Sequence, residues 1–466
     1  MARLHQLGFK AAIRVLLTSS AFLGMLHCNR AWSAPQTAPD AELTRKIDRF
    51  ISQLDDENFQ VREDAETALR ELGDKAIEQL TKATLSKSAE VRLRAGVILR
   101  DLRRAALGLR HIGTIQRDDL LGVCGITTSS DGKFFYAAAL QASTLVVFRR
   151  DLTTGSLAHL QTVIDPANLD GVVCIKLSPD GKLAAATTYR AGKISLLARD
   201  PDAGTLKFLN VIGPELGEGN LLQRPVDVVF SPDGKHVYAV DGPAAGVAVF
   251  EVTGDGRLKW LQFSKGRDDC LVGARSVAVG LDGKTLVVTS NRAGTLSVLD
   301  RDAATGKVEL RQVLRDDNGQ VTALMGVHGI VLSPDGRHAY VSVGRHLGDQ
   351  AVGAYRFEKD GTLALVQELV NNKSDLVDCE GANGLYVSPD GLNLYVCGTN
   401  TQSLACFNRN LTTGGLSFVA TLRNETTGAG VAVGAADVDT SPDGRFVHVA
   451  LEGQGAISIF ERTVKK

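Results

Sequence analysis

The 466 residues are 44% hydrophobic, 23% charged and 5% aromatic, with 48 glycines against 12 prolines and a formal charge of −1. This balance excludes a disordered tail, a collagen-like fibre and a small disulfide scaffold, and leaves room for more than one packed unit. Near-neutral charge also removes nucleic acid as a partner on bulk electrostatics, because phosphate binding needs a basic excess to release counterions.

At the start of the chain, Arg3, Lys10 and Arg14 precede an apolar run from Val15 to Leu26, and small residues follow at Ala31, Ser33 and Ala34. The pattern predicts a signal peptide over 1–34, too short to cross a bilayer that needs about 20 apolar residues. Its loss would remove Arg3, Lys10, Arg14 and Arg30 and leave a more acidic, secreted or periplasmic chain with no membrane span.

From Ala41 to Ala106 apolar residues recur at helix spacing: Leu43, Ile47, Phe50, Ile51 and Leu54, then Val61, Ala65, Ala68, Leu69 and Leu72 before Gly73, a predicted helix stop. Val61-Arg62-Glu63-Asp64-Ala65 returns as Val91-Arg92-Leu93-Arg94-Ala95. Two helix pairs are implied. This V-R-x-x-A repeat resembles HEAT-type helical repeats and places a HEAT-like segment over 41–106. Such units bury a face only by stacking, so two of them are expected to lean on the next domain or on a protein partner.

Beyond residue 107 the period becomes that of strands. An Asp-Gly pair between two β runs recurs seven times, at Gly132, Gly181, Gly234, Gly283, Gly336, Gly391 and Gly444, most often as Ser-Pro-Asp-Gly. A spacing of about 50 residues is that of propeller blades, each a four-stranded sheet, so 107–466 is predicted to be a mainly β, seven-bladed β-propeller. A second turn joins the third strand to the fourth, as at Thr153-Thr154-Gly155 and Ala304-Thr305-Gly306. The seventh repeat stops after a third strand at Phe460-Glu461-Arg462, and Leu109, Ile112 and Ile115 reproduce the spacing of Leu157, Leu160 and Val163. The segment from Leu109 to Gln116 is therefore expected to supply the missing fourth strand and close the ring.

In this phasing the repeated turns share one face and are explained by backbone geometry. The opposite face carries acidic crossovers, including Asp118, Asp119, Asp268, Asp269, Asp375, Asp378 and Glu380, and turns with Arg190, Arg292, Arg345 and His346. Variable loops on a rigid scaffold are where sites are built. The starts of the innermost strands bring Arg224, Asp227, Arg275, His328, Asn383 and Asp437 toward the channel mouth. Arg345 and His346 join these as candidate ligand-binding residues. A His can take a proton from water while an Arg stabilises an oxyanion, as lactone hydrolysis requires, so His328, Arg275 and Glu380 are the candidate catalytic set. No zinc spacing, C-x-x-C, G-x-S-x-G or phosphate loop is present, so neither metal nor cofactor is expected. Cys397 and Cys406 flank a turn near Asn400 and could pair as a disulfide, while Cys124 and Cys174 sit at inner-strand starts.

The S-P-D-G repeats, T-x-G turns and closing strand resemble the lactonase-type seven-bladed propellers, the family of 6-phosphogluconolactonase and carboxymuconate cyclase. The resemblance implies carbohydrate metabolism, a sugar lactone as substrate and a His-rich motif entering an inner strand. The chain departs from it at Arg224-Pro225-Val226-Asp227, where no His occurs. Two functions follow: a lactonase-like hydrolase, or a non-catalytic propeller that binds a polar ligand or a protein.

Overall fold

The computed structural model describes residues 38–217, 220–316, 321–344, 350–371, 379–423 and 432–463. The signal segment expected over 1–34 lies outside the described residues, as do Arg345, His346, Asp375 and Asp378.

Helices come first: α1 (Ala38–Ser52), α2 (Phe59–Leu72), α3 (Ile77–Ala83) and α4 (Ala89–Ala106). The side-chain oxygens of Asn58 and Ser88 begin α2 and α4 by accepting the N–H groups of Gln60 and Val91, at 2.9 and 3.2 Å. Gly73 ends α2 at φ +58°. In both copies of V-R-x-x-A the arginine folds back over the preceding loop: Arg62 Nη1 donates to the Asp56 and Glu57 carbonyls, and Arg92 Nη1 to those of Ser86 and Lys87. Ile47, Leu54, Ala65, Leu69, Leu80, Ala95 and Ile98 form the helical core. Outside it, α4 lies against the outermost strand of the sixth sheet.

Seven four-stranded antiparallel sheets follow, and their innermost strands touch in a closed ring. Leu109–Gln116 pairs antiparallel with Ala456–Arg462, Leu109 opposite Arg462 and Gln116 opposite Ala456, and so completes the seventh blade. The ring predicted from the repeats is the fold observed, with a small helical segment before it. Five of the seven second strands, Phe134–Ala139 among them, are buried at every position, because both of their sides meet a neighbouring blade. A short hairpin, Glu215–Gly217 with Asn220–Leu221, was not visible in the repeat pattern.

The repeated turns carry more than backbone geometry. In Ser-x-Asp-Gly the serine hydroxyl donates to the aspartate, 2.6 Å for Ser333 to Asp335, and that aspartate accepts the N–H of Arg337 at 3.0 Å. In five blades the third strand ends in a buried arginine: Arg150, Arg199, Arg301, Arg409 and Arg462. Each donates to the Asp-Gly glycine carbonyl of its own blade and reaches back to the blade before. Arg409, for example, bonds the Gly391 carbonyl at 3.1 Å, then Asp335 at 3.0 Å and the Tyr340 hydroxyl at 2.6 Å. Blades three and five end instead in Val252 and Phe357. The turn glycines also admit a neighbour: a Cβ on Gly306 (φ +72°) would stand 2.0 Å from the His236 ring.

The cysteine pair expected from the turn is out of register. Cys397 lies opposite Leu404 and Cys406 opposite Tyr395, and both thiols are free and buried in one apolar cluster.

Candidate functional site

Every innermost strand has the same irregularity near its start. Pairing with the second strand slips by a residue between Val172 and Cys174, between Pro225 and Asp227, between Ala274 and Ser276, and more widely between Val327 and Ile330 and between Ala382 and Leu385. A bulge re-aims the side chain it carries. Here it turns the third residue of each repeat toward the axis.

Six blades enter this bulge on a glycine with positive φ, such as Gly273 at +75° and Gly326 at +83°. Blade three places Arg224 there, and buried Asp241 holds the departure: one carboxylate oxygen accepts the N–H groups of Gln223 and Arg224 at 2.6 and 2.8 Å. Burial raises the Asp241 carboxyl, and those N–H groups only partly oppose it.

The result is an axial cavity of about 700 Å³ that takes in Arg224, Asp227, Arg275, His328, Asn383 and Asp437. All six residues expected from the strand starts meet there. Arg275 Nε donates to His328 Nε2 at 2.7 Å, across adjacent blades. A guanidinium can donate only to an unprotonated ring nitrogen, so the imidazole in this pair is neutral with its proton on Nδ1. The His328 carbonyl is fixed by the Thr289 hydroxyl at 2.7 Å. Arg224 stacks 5.1 Å from the centre of the Tyr189 ring, and Arg292 lines the same wall.

Asp227 and Asp437 reach the cavity but spend much of their capacity tying blades together. Asp227 accepts from the Ser276 hydroxyl at 2.7 Å and from the N–H groups of Val228 and Val277 at 2.9 and 3.0 Å. The buried Cys174 thiol donates to it at 3.2 Å. Asp437 accepts the N–H groups of Ile126 and Val438, both at 3.0 Å. Burial pushes the Asp437 carboxyl up to about 6, against the pull of Lys176 and the Ile126 N–H. Asp439, deeper on the same strand, is raised by burial as well. Asn383 is buried, its carbonyl taken by the Ser342 hydroxyl.

Glu380 does not join the set. Its side chain is exposed in the connection before blade six and does not line the cavity, while its carbonyl accepts the Asn400 N–H at 3.2 Å. A crossover loop, not the strand, sets its position. Tyr189 and Lys176 line the site without having been expected. Lys176 had one signal, a lone cation inside the otherwise apolar inner strand Val172–Leu177. Among the described residues no group of three or more His, Cys, Asp or Glu is placed to hold a metal ion. No helix among them is long and apolar enough to cross a membrane.

Residues 110–219 and 212–316 match the family model described as "Lactonase, 7-bladed beta-propeller". No curated protein matches the chain. Among solved structures, a periplasmic gluconolactonase from Pseudomonas aeruginosa is 20% identical, with a TM-score of 0.56 over 73% of this chain and 91% of that one. A protein provisionally assigned as a 6-phosphogluconolactonase from Bacteroides uniformis is 23% identical, with a TM-score of 0.55 over 67% of this chain and 88% of that one. Hydrazine synthase of Kuenenia stuttgartiensis is 18% identical, with a TM-score of 0.54 over 75% and 98%. At these identities the structures share the fold alone. The chain thus folds as a seven-bladed β-propeller similar to the lactonase family.

Proposed function

We propose that this protein is a lactonase-type propeller whose axial cavity hydrolyses a sugar lactone. The observation that carries the reading is the Arg275–His328 bond inside a cavity that Arg224 and Arg292 also line. In the resting site Arg275 occupies the Nε2 lone pair. A bound lactone carbonyl offers that guanidinium a better acceptor as negative charge develops on its oxygen, and Arg275 changing partner frees His328 Nε2. The imidazole then takes a proton from water, hydroxide adds to the carbonyl, and the ring oxygen leaves with the proton that His328 returns. The product carboxylate faces Arg224 and Arg292. Glu380 has no part in this scheme.

The same bond favours a second reading, binding without turnover, because a ring nitrogen already accepting from a guanidinium is not a ready base. Turnover of δ-gluconolactone by the protein and by His328→Ala separates the two. A fall of roughly 100-fold or more in the variant supports hydrolysis; equal rates remove His328 from the mechanism.

The helical segment fits this reading as a pair of HEAT-like repeats, supported by the matching roles of Arg62 and Arg92, and its unstacked end is the surface for a protein partner. Export to the periplasm is supported by the pattern over 1–34 and by the likeness to a periplasmic gluconolactonase.

A further inference from the structure

Lys176 is three residues further along its inner strand than the bulge, about 10 Å deeper by strand rise. The ring encloses it, yet its side chain keeps some accessible surface because it lines the cavity. Its ammonium makes no hydrogen bond to a described residue. Burial opposes its charge, but the groups around it, the Asp437, Asp227 and Asp439 carboxylates among them, outweigh burial and raise it. An enclosed ammonium with three donors and no protein acceptor must give those hydrogens to whatever fills the cavity.

The surrounding charge decides the class of occupant. Asp437 and Asp227 line the cavity beside Lys176; Asp227 is filled by its four donors, while Asp437 accepts only two N–H groups and retains acceptor capacity. A carboxylate or phosphate brought here would meet these acids and could donate nothing to them. A hydroxyl accepts from the ammonium and donates to a carboxylate at once. At the mouth the order is reversed, since Arg224, Arg275 and Arg292 offer donors without competing for protons.

We infer that the deep end of the cavity, between Lys176 and Asp437, is a subsite for the hydroxyls of a polyhydroxylated ligand whose carbonyl or acidic end faces Arg224, Arg275 and Arg292. Which end reacts rests on the lactonase reading; the hydroxyl subsite does not. It makes the ligand a polyol acid or its lactone, carrying charge at the mouth and none at the deep end.

The test compares equilibrium binding of D-gluconate with hexanoate, the same carboxylate on a six-carbon chain without hydroxyls, by calorimetry at pH 7.5. The full chain is expected to bind gluconate tenfold or more tightly than hexanoate, the scale of hydrogen bonds to charged groups. Lys176→Met should close that gap, with folding checked by its thermal transition, and Asp437→Asn gives the same readout should Lys176→Met fail to fold. Arg224→Ala with Arg292→Ala should weaken both acids alike. Absence of preference in the unmodified protein, or a gap that survives in the variants, overturns the subsite. δ-Gluconolactone assayed beside these tells the two readings apart: no turnover with the gap intact defeats hydrolysis alone, and turnover with no gap defeats the subsite alone.

Discussion

On the turn face, Asp233, Asp335, Asp390 and Asp443 each receive an arginine from the following blade together with a serine hydroxyl and a backbone N–H. Burial would raise these carboxyls, but those donors win and hold them below the usual range. At the axis, Asp437 and Asp439 have one lysine between them, and burial wins. The same residue type in the same ring is thus an arginine-paired staple on one face and a hydrogen-bonded acid whose burial is not offset in the middle. The turn face is built for stability, and the axis keeps polarity that folding alone does not need.

The sharpest way to break that contrast is Arg409→Ala. It removes a buried donor shared by Asp335, the Tyr340 hydroxyl and the Gly391 carbonyl. A loss of about 3–5 kcal/mol in denaturant unfolding is expected, the scale for breaking a buried pair from one side. A loss no larger than that of an exposed arginine would show that the turn-face network contributes little.

Next in size is Gly306→Ala, where a positive φ and the His236 ring both oppose a Cβ, expected to cost about 2 kcal/mol or more. Gly254→Ala, with no atom within 4 Å of the added carbon, should stay within about 0.5 kcal/mol. Equal costs would mean that the close packing at Gly306 does not matter.

The subtlest effect is in pH. Asp437 has a folded value raised to about 6. Its contribution is therefore complete below the unfolded range near 4 and is lost as pH rises through about 6. The turn-face aspartates, held low, contribute above that range and lose their effect as pH falls further. Buried His448, pushed down to about 3 by its burial, adds a penalty as pH drops below its unfolded range, so the wild-type curve mixes signs. The difference between wild type and Asp437→Asn isolates the axial term: the wild type should lose ground against the variant from pH 4 to 6 and hold steady above. A flat difference would mean that burial does not raise Asp437, and a wild type that gains on the variant as pH rises toward 4 would place Asp437 with the turn-face acids.

Much of this was legible in the chain because blades repeat. Ring size, strand order, the closing strand and the convergence of Arg224, Arg275 and His328 all follow from aligning seven copies. What stayed hidden depends on pairs that no single repeat contains. Arg409 meets Asp335 across a blade boundary, so the Asp-Gly turn reads locally as backbone geometry alone. Glu380 precedes the sixth inner strand closely in sequence, but its crossover leaves the side chain exposed. Cys397 and Cys406 flank the right turn, yet strand register places Leu404 and Tyr395 opposite them. Lys176 reads locally as one cation in an apolar strand, and its enclosure appears only when seven strands surround it.

The closing strand has a consequence for how the chain comes into being. Leu109–Gln116 leaves the ribosome early, directly after α4, and its partner Ala456–Arg462 is made hundreds of residues later. During that interval its hydrogen-bonding groups are bare, and helices tethered three residues upstream are the nearest cover. A chain cut short before Ala456 would hold six finished blades and one permanently sticky ribbon, so cells have reason to destroy such fragments quickly.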